Sequence, residues 1–383
     1  MKKSFFYVAF LMLGFAFVTA SCSDDDDNVF TGGGQSSADL DYSTENATSW
    51  HNYMRNVAAL LKKDATTLYD AWNTNYVNDI SYADGFKNQQ LSDFPTPKSC
   101  VEQIIDGCVT IATEVGTAKI GDPYNLYISG KTTEALYAVE SWYSWHSRDD
   151  YRNNIYSIRN AYYGSLDGIV VKSSIANLVA ENNSELDHKV NTAITKAANA
   201  IYNIEQPFRN HINSTETLEA MKACAELVLV LEDELKPYLI ENLTDEVLDP
   251  VVDNYVDNVV LPTYLELKNG NEALYEAILA LIESPSNQAF AEACEAWMEA
   301  RKPWEESEAF LFGPVDALGL DPNMDSWPLD QDAIVQILTS GNYDDLNWSD
   351  GDADDVVEAA QSVRGFHTLE YLLFKDGKPR TVK

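Results

Sequence analysis

The stretch that decides the fold is VEAAQSVRGFHTLEYLLFKDG, residues 357–377, near the C-terminus. A histidine and a glutamate, His367 and Glu370, stand three apart in an otherwise apolar run. Read as one helix, Val356, Ala360, Val363, His367, Glu370 and Phe374 recur at steps of three and four and form a single stripe. Stripes of this kind face a core, so the imidazole and the carboxylate are expected to point inward side by side. Inward polar groups are costly unless paired, and such a pair can hold a metal or grip a ligand.

The same period recurs outward from there. Residues 44–76, 98–119, 183–211, 217–236, 272–283 and 287–312 carry helical apolar stripes, and no sustained strand alternation is present. Asp-Gly pairs occur at residues 84, 106 and 376 without alternating runs on both sides. The expectation is an all-α protein of long helices joined by modest loops, the pattern of antiparallel bundles. A break at residues 241–244 divides it into a first bundle, 42–243, and a second, 244–383.

The N-terminus reads as an address. Lys2 and Lys3 precede an apolar run from Phe5 to Val18, too short to span a bilayer comfortably. Thr19, Ala20 and Ser21 then lead to Cys22. Residues 1–21 are expected to be a signal peptide, with Cys22 the lipidated residue of a bacterial lipoprotein. The acidic run SDDDDN and the flexible TGGGQSS make residues 22–41 a tether. Acidic residues after the Cys resemble a surface-export signal, which implies an outer-membrane lipoprotein on the cell surface, with the periplasmic face as the alternative.

The chain has 26 basic and 61 acidic residues, a formal net charge of −35. Phosphate backbones would be repelled, so nucleic acid is excluded as a partner. Beyond Cys22 the cysteines are Cys100, Cys108, Cys224 and Cys294, none in a CxxC. Buried free thiols and a Cys224–Cys294 bridge both remain open.

Two further stretches are dense in polar and aromatic groups. In VESWYSWHSRDDYRNN, residues 139–154, Glu140, Ser144 and Ser147 fall on one helical face, and His146 and Asp149 stand three apart. In residues 297–330, Arg301, Glu305 and Glu308 share a face. Arg301–Glu305 also reads as an ordinary surface ion pair. His-x-x-Glu supplies half of a metal site, and the rest would come from these stretches. Oxygen-rich surroundings favour iron or another hard divalent ion over zinc.

GFHTLEYLLF, with Gly365, His367 and Glu370, resembles the GxHxxE motif of the imelysin family. ARKPWEESEAFLFGP followed by DPNMDSWPLD is similar to that family's other N-terminal-half signature, and ESWYSWHSRDDYRNN with AYYG is similar to its C-terminal-half motif. The usual order is reversed, so the chain resembles a circularly permuted imelysin, with WHNYMRNVAALLKKDA (residues 50–65) following on from GxHxxE. Permutation implies that residues near Tyr42 and Lys378 are neighbours in space. The resemblance implies two similar four-helix bundles side by side, with the motifs meeting between them. It implies a role in iron uptake, through binding of a metal, a metal chelate or an uptake transporter. His367 and Glu370 would be the metal residues. Glu140, Ser144, His146, Asp149, Arg301, Glu305 and Glu308 would line the ligand cleft. The family's history also suggests a metal-dependent peptidase, yet the His-Glu-x-x-His of zinc peptidases is absent. A third reading is a purely structural polar network.

Overall fold

The longest helix among the described residues, Ala47–Asn73, buries Trp50, Tyr53, Met54, Val57, Leu61, Ala65, Leu68 and Trp72, which fall on one face. That face lies against the Leu261–Glu283 helix and the Gly365–Leu373 helix. Leu261–Glu283 in turn packs along Asn287–Glu305, close enough that a Cβ on Gly270 would sit 2.9 Å from the Ala300 Cα. A second group gathers the helices Pro97–Glu114, Ser147–Tyr163, Ser184–Tyr202 and Thr215–Leu229. The computed structural model describes residues 40–76, 79–349 and 351–383. Among them the protein is all-α, as expected. Cys22, the signal peptide and nearly all of the tether lie outside the described residues.

Local chemistry starts these helices where the sequence offers oxygen acceptors. Thr96 and Ser99 make a reciprocal capping box ahead of Pro97. Ser81, Ser174, Asn183, Ser214, Ser286 and Asp330 each accept a hydrogen bond from the first turn they precede. Among the described residues no helix is long and apolar enough to cross a membrane.

Several expectations need correction. Residues 356–374 are not one helix. Asp354–Gln361 ends before Gly365–Leu373 begins, and Gly365, the first residue of the second helix, has φ +85°. Val356 is exposed, and Phe374, though buried, has passed into a strand, so neither belongs to the helical stripe. Asp376-Gly377 does turn a hairpin, pairing Phe374–Lys375 with Lys378–Pro379. Both turn residues have positive φ, as a tight hairpin turn demands. Cys224 and Cys294 are not bridged; all four described cysteines are free and buried.

The ends of the described chain meet. Arg380 Nη1 donates to Asp41 Oδ1 at 2.7 Å and Lys383 Nζ to Asp41 Oδ2 at 2.6 Å. Burial raises the Asp41 pKa, but its cationic partners outweigh that and hold it at about 2. The division at residues 241–244 falls between the Lys236–Asn242 and Asp245–Tyr255 helices. The Pro97–Glu114 helix packs on Asp245–Tyr255 across it.

Candidate functional site

Every residue of the Gly365–Leu373 helix is buried, and the side chains of His367 and Glu370 are 0% exposed. Their spacing places them on one face, where His367 Nδ1 meets Glu370 Oε2 at 3.0 Å. The other carboxylate oxygen, Glu370 Oε1, accepts from the Ser144 backbone N–H and the Ser144 hydroxyl, both at 2.8 Å. Glu370 therefore orients the imidazole. The second ring nitrogen, His367 Nε2, faces Asp325 Oδ1 at 3.1 Å and Glu140 Oε1 at 3.3 Å. Trp327 closes the ring's flank edge-on, with centroids 4.8 Å apart.

Arg301 sits beside this triad with no exposed side-chain surface. Its Nε donates to Asp150 Oδ2 at 3.0 Å, its Nη1 to Asp325 Oδ1 at 2.5 Å and its Nη2 to Glu140 Oε1 at 2.9 Å. Nη2 also lies 2.6 Å from Glu305 Oε1 and 3.4 Å from His367 Nε2. The surface ion pair considered for Arg301–Glu305 is thus a fully buried one. Glu305 Oε2 accepts from Asn154 Nδ2 at 2.6 Å, and Asp325 Oδ2 accepts from the Trp304 indole at 2.7 Å. Lys119 completes the group, 3.1 Å from Glu140 Oε2 and 3.5 Å from Glu308 Oε1.

The surroundings set the protonation states. Burial and Arg301 push the His367 pKa down, yet the Asp325 and Glu140 carboxylates outweigh both and raise it well above 6.5. Burial raises Glu140 and Asp325, but nearby cations prevail. Lys119 and His367 bring Glu140 to about 2, and Arg301 with His367 holds Asp325 far below the carboxylate range. Glu305 is pushed up by burial, to about 8, and Glu308 is raised well above 4.5 for the same reason.

Seven of the nine residues expected here converge: His367, Glu370, Glu140, Ser144, Arg301, Glu305 and Glu308. Their local settings differ from expectation. Glu140 and Ser144 lie in a turn between Thr132–Ala138 and Ser147–Tyr163, not on a helical face, and Ser141 and Trp145 there have positive φ. Glu308 belongs to a 3-10 turn after the Asn287–Glu305 helix has ended. His146 and Asp149 do not touch His367 or Glu370 but lie at the rim, next to Asp150. His146 is half-buried, 3.8 Å from Asp150 Oδ1, while Asp149 turns outward to Gln206 and Arg148. Asp149 and Asp150 are adjacent at a helix start, so they diverge, and only Asp150 faces Arg301.

Sequence reasoning missed Asp325, Asp150 and Lys119. Asp325 was in plain sight inside DPNMDSWPLD, but ends a six-residue helix with no period to read.

Ligand atoms of Glu140, Asp325 and His367 lie within 4.8 Å of one another, and so do those of Glu305, Glu308 and Asp325. The first set offers one imidazole nitrogen and two carboxylates, with a carboxylate on the far ring nitrogen. That is the arrangement by which proteins orient a metal-binding histidine. Its oxygen content suits a hard divalent ion.

A family model described as Imelysin matches residues 25–235 and 260–383. The crystal structure of an imelysin peptidase from Bacteroides ovatus is similar at a TM-score of 0.89 and 64% sequence identity, covering 91% of this chain and 100% of that one. Iron-regulated protein A of Synechococcus elongatus is 32% identical over 121 residues. That match spans 32% of this chain and only 30% of the relative's own length. With its helical fold, its buried GxHxxE and a family match running through most of its length, this chain belongs to the imelysin family.

Proposed function

We propose that this protein serves iron acquisition as a lipid-anchored outer-membrane protein, binding iron or a similar divalent metal at His367. The observation that carries the reading is the division of labour on one imidazole. Nδ1 is fixed by Glu370, while Nε2 is turned to the carboxylates of Asp325 and Glu140. In this reading His367, Asp325 and Glu140 hold the cation, and Glu370 and Ser144 orient the ring. Arg301 positions both carboxylates. Glu370 has both oxygens engaged, so a role as the base of a peptidase draws no support from its position. Anchoring through Cys22 on the cell surface and delivery to an uptake transporter complete the proposal.

One observation favours a second reading. Arg301 touches the same Asp325 and Glu140 oxygens that a metal would use, so the cluster is already provided with a counter-ion. A purely structural network would look like this. Titrating Mn²⁺ or Fe²⁺ into chelator-stripped protein separates the two. Metal binding requires a stoichiometric site that His367→Gln abolishes with the helical content intact. A lowered melting temperature in His367→Gln, with no cation bound by either form, would establish the structural reading.

A further inference from the structure

The Pro97–Glu114 helix does not simply end; residues Val115–Lys119 continue it as a π turn. Such turns shift the register of the side chains beyond them and gather at functional sites. Gly116 lets this turn pack tightly, since a Cβ there would lie 2.9 Å from the Cys224 Cβ on a neighbouring helix. The shift brings Lys119 onto the cluster, between Glu140 and Glu308.

Lys119 also marks where the cluster reaches water. The side chains of Lys119, Glu140 and Glu308 are 9%, 8% and 6% exposed, whereas those of His367, Arg301 and Glu305 are at 0%. Glu140 divides its oxygens accordingly. Oε2 lies nearest Lys119, at 3.1 Å, and Oε1 faces Arg301 and His367 inside, with Lys119 3.5 Å away. Lys119 and Glu140 are thus nearer to water than His367 is.

We propose that Lys119 is the residue that sets cation affinity at the His367 site, a tethered counter-ion on Glu140 that a divalent metal must displace. This rests on the metal-binding reading above. An ammonium is a compact point charge on a flexible stem. It neutralises Glu140 while the site is empty of metal and repels any cation that approaches the same carboxylate. A monovalent ion gains too little from Glu140, Asp325 and His367 to move it. A divalent ion gains more, so Lys119 acts as a filter on charge.

The test is calorimetric titration of Mn²⁺ into the chelator-stripped full chain, comparing wild type, Lys119→Met and Lys119→Arg. Lys119→Met should bind Mn²⁺ about tenfold more tightly, because a like charge has been removed from beside the cation. Lys119→Arg, which keeps the charge, should stay near wild type. Should the methionine variant unfold, Lys119→Gln decides the same comparison. If wild type binds and the uncharged variant binds no more tightly, the role of Lys119 is overturned and the metal reading stands. If only the uncharged variant binds, the converse holds: Lys119 blocks the site and the metal reading of the wild type fails. Silence from both overturns both.

Discussion

Gly365 lies directly against the carbonyl oxygen of Met324, so closely that a Cβ on it would collide with that backbone. The contact fixes the spacing between the two segments that meet at the site. Asp325 follows Met324, and His367 follows Gly365 by two, which brings Asp325 Oδ1 within 3.1 Å of His367 Nε2. The glycine of GxHxxE is thus a packing requirement, reinforced by φ +85°.

Gly365→Ala should therefore destabilise the protein by more than ~1–2 kcal/mol, the cost of left-handed backbone alone. The clash with Met324 adds to it. Denaturant unfolding would register the loss, and any metal affinity should fall with it because Asp325 is displaced.

Removing Arg301 leaves Asp150, Glu140 and Asp325 without their shared buried cation. Arg301→Met should cost about 3–5 kcal/mol in unfolding free energy, the range for breaking a buried ion pair from one side. Arg301→Lys should not restore it, since one ammonium cannot reproduce the separate contacts of Nε, Nη1 and Nη2.

Stability should decline from about pH 5 to pH 9. The folded pKa of His367 is raised, so its contribution is complete below 6.5 and lost as pH climbs through the folded value. Glu305, raised from 4.5 to about 8, favours the folded state below its starting value and loses that contribution by about pH 8. Glu140 works oppositely: lowered to about 2, it stabilises above pH 4.5 and loses this as pH falls through 2. Thermal melts across this range would show the maximum near pH 5. A bound metal should tighten as pH rises, with release of the His367 proton.

The four described thiols should resist modification in the native state. All are buried, and burial pushes Cys100, Cys108 and Cys224 up to about 12 and Cys294 higher. With Cys22 replaced by Ser, a thiol reagent at pH 8 should label the protein only as fast as it unfolds, then at all four sites.

Much of this was legible in residue order because helices advertise their buried faces. The spacing of His367 and Glu370 was enough to predict that both turn inward together. Arg301 and Glu305 were equally visible, but spacing does not distinguish a buried pair from an exposed one. What failed to show were positions whose geometry is set by irregular backbone. The π turn before Lys119 breaks the period that would have placed it, and Asp325 depends on the Gly365–Met324 approach. The i,i+3 spacing of His146 and Asp149 at a helix start does not say which side faces the core; His146 turns to Asp150, and Asp149 to Gln206 and Arg148.

The clasp of Asp41 by Arg380 and Lys383 has a mechanical corollary. Tension arriving along the chain before residue 40 would bear first on that ionic knot and the small hairpin behind it. Arg380 also donates to the Tyr371 carbonyl on the helix that carries His367. A tug at this corner would be felt one turn away from the imidazole, well before any long helix came loose.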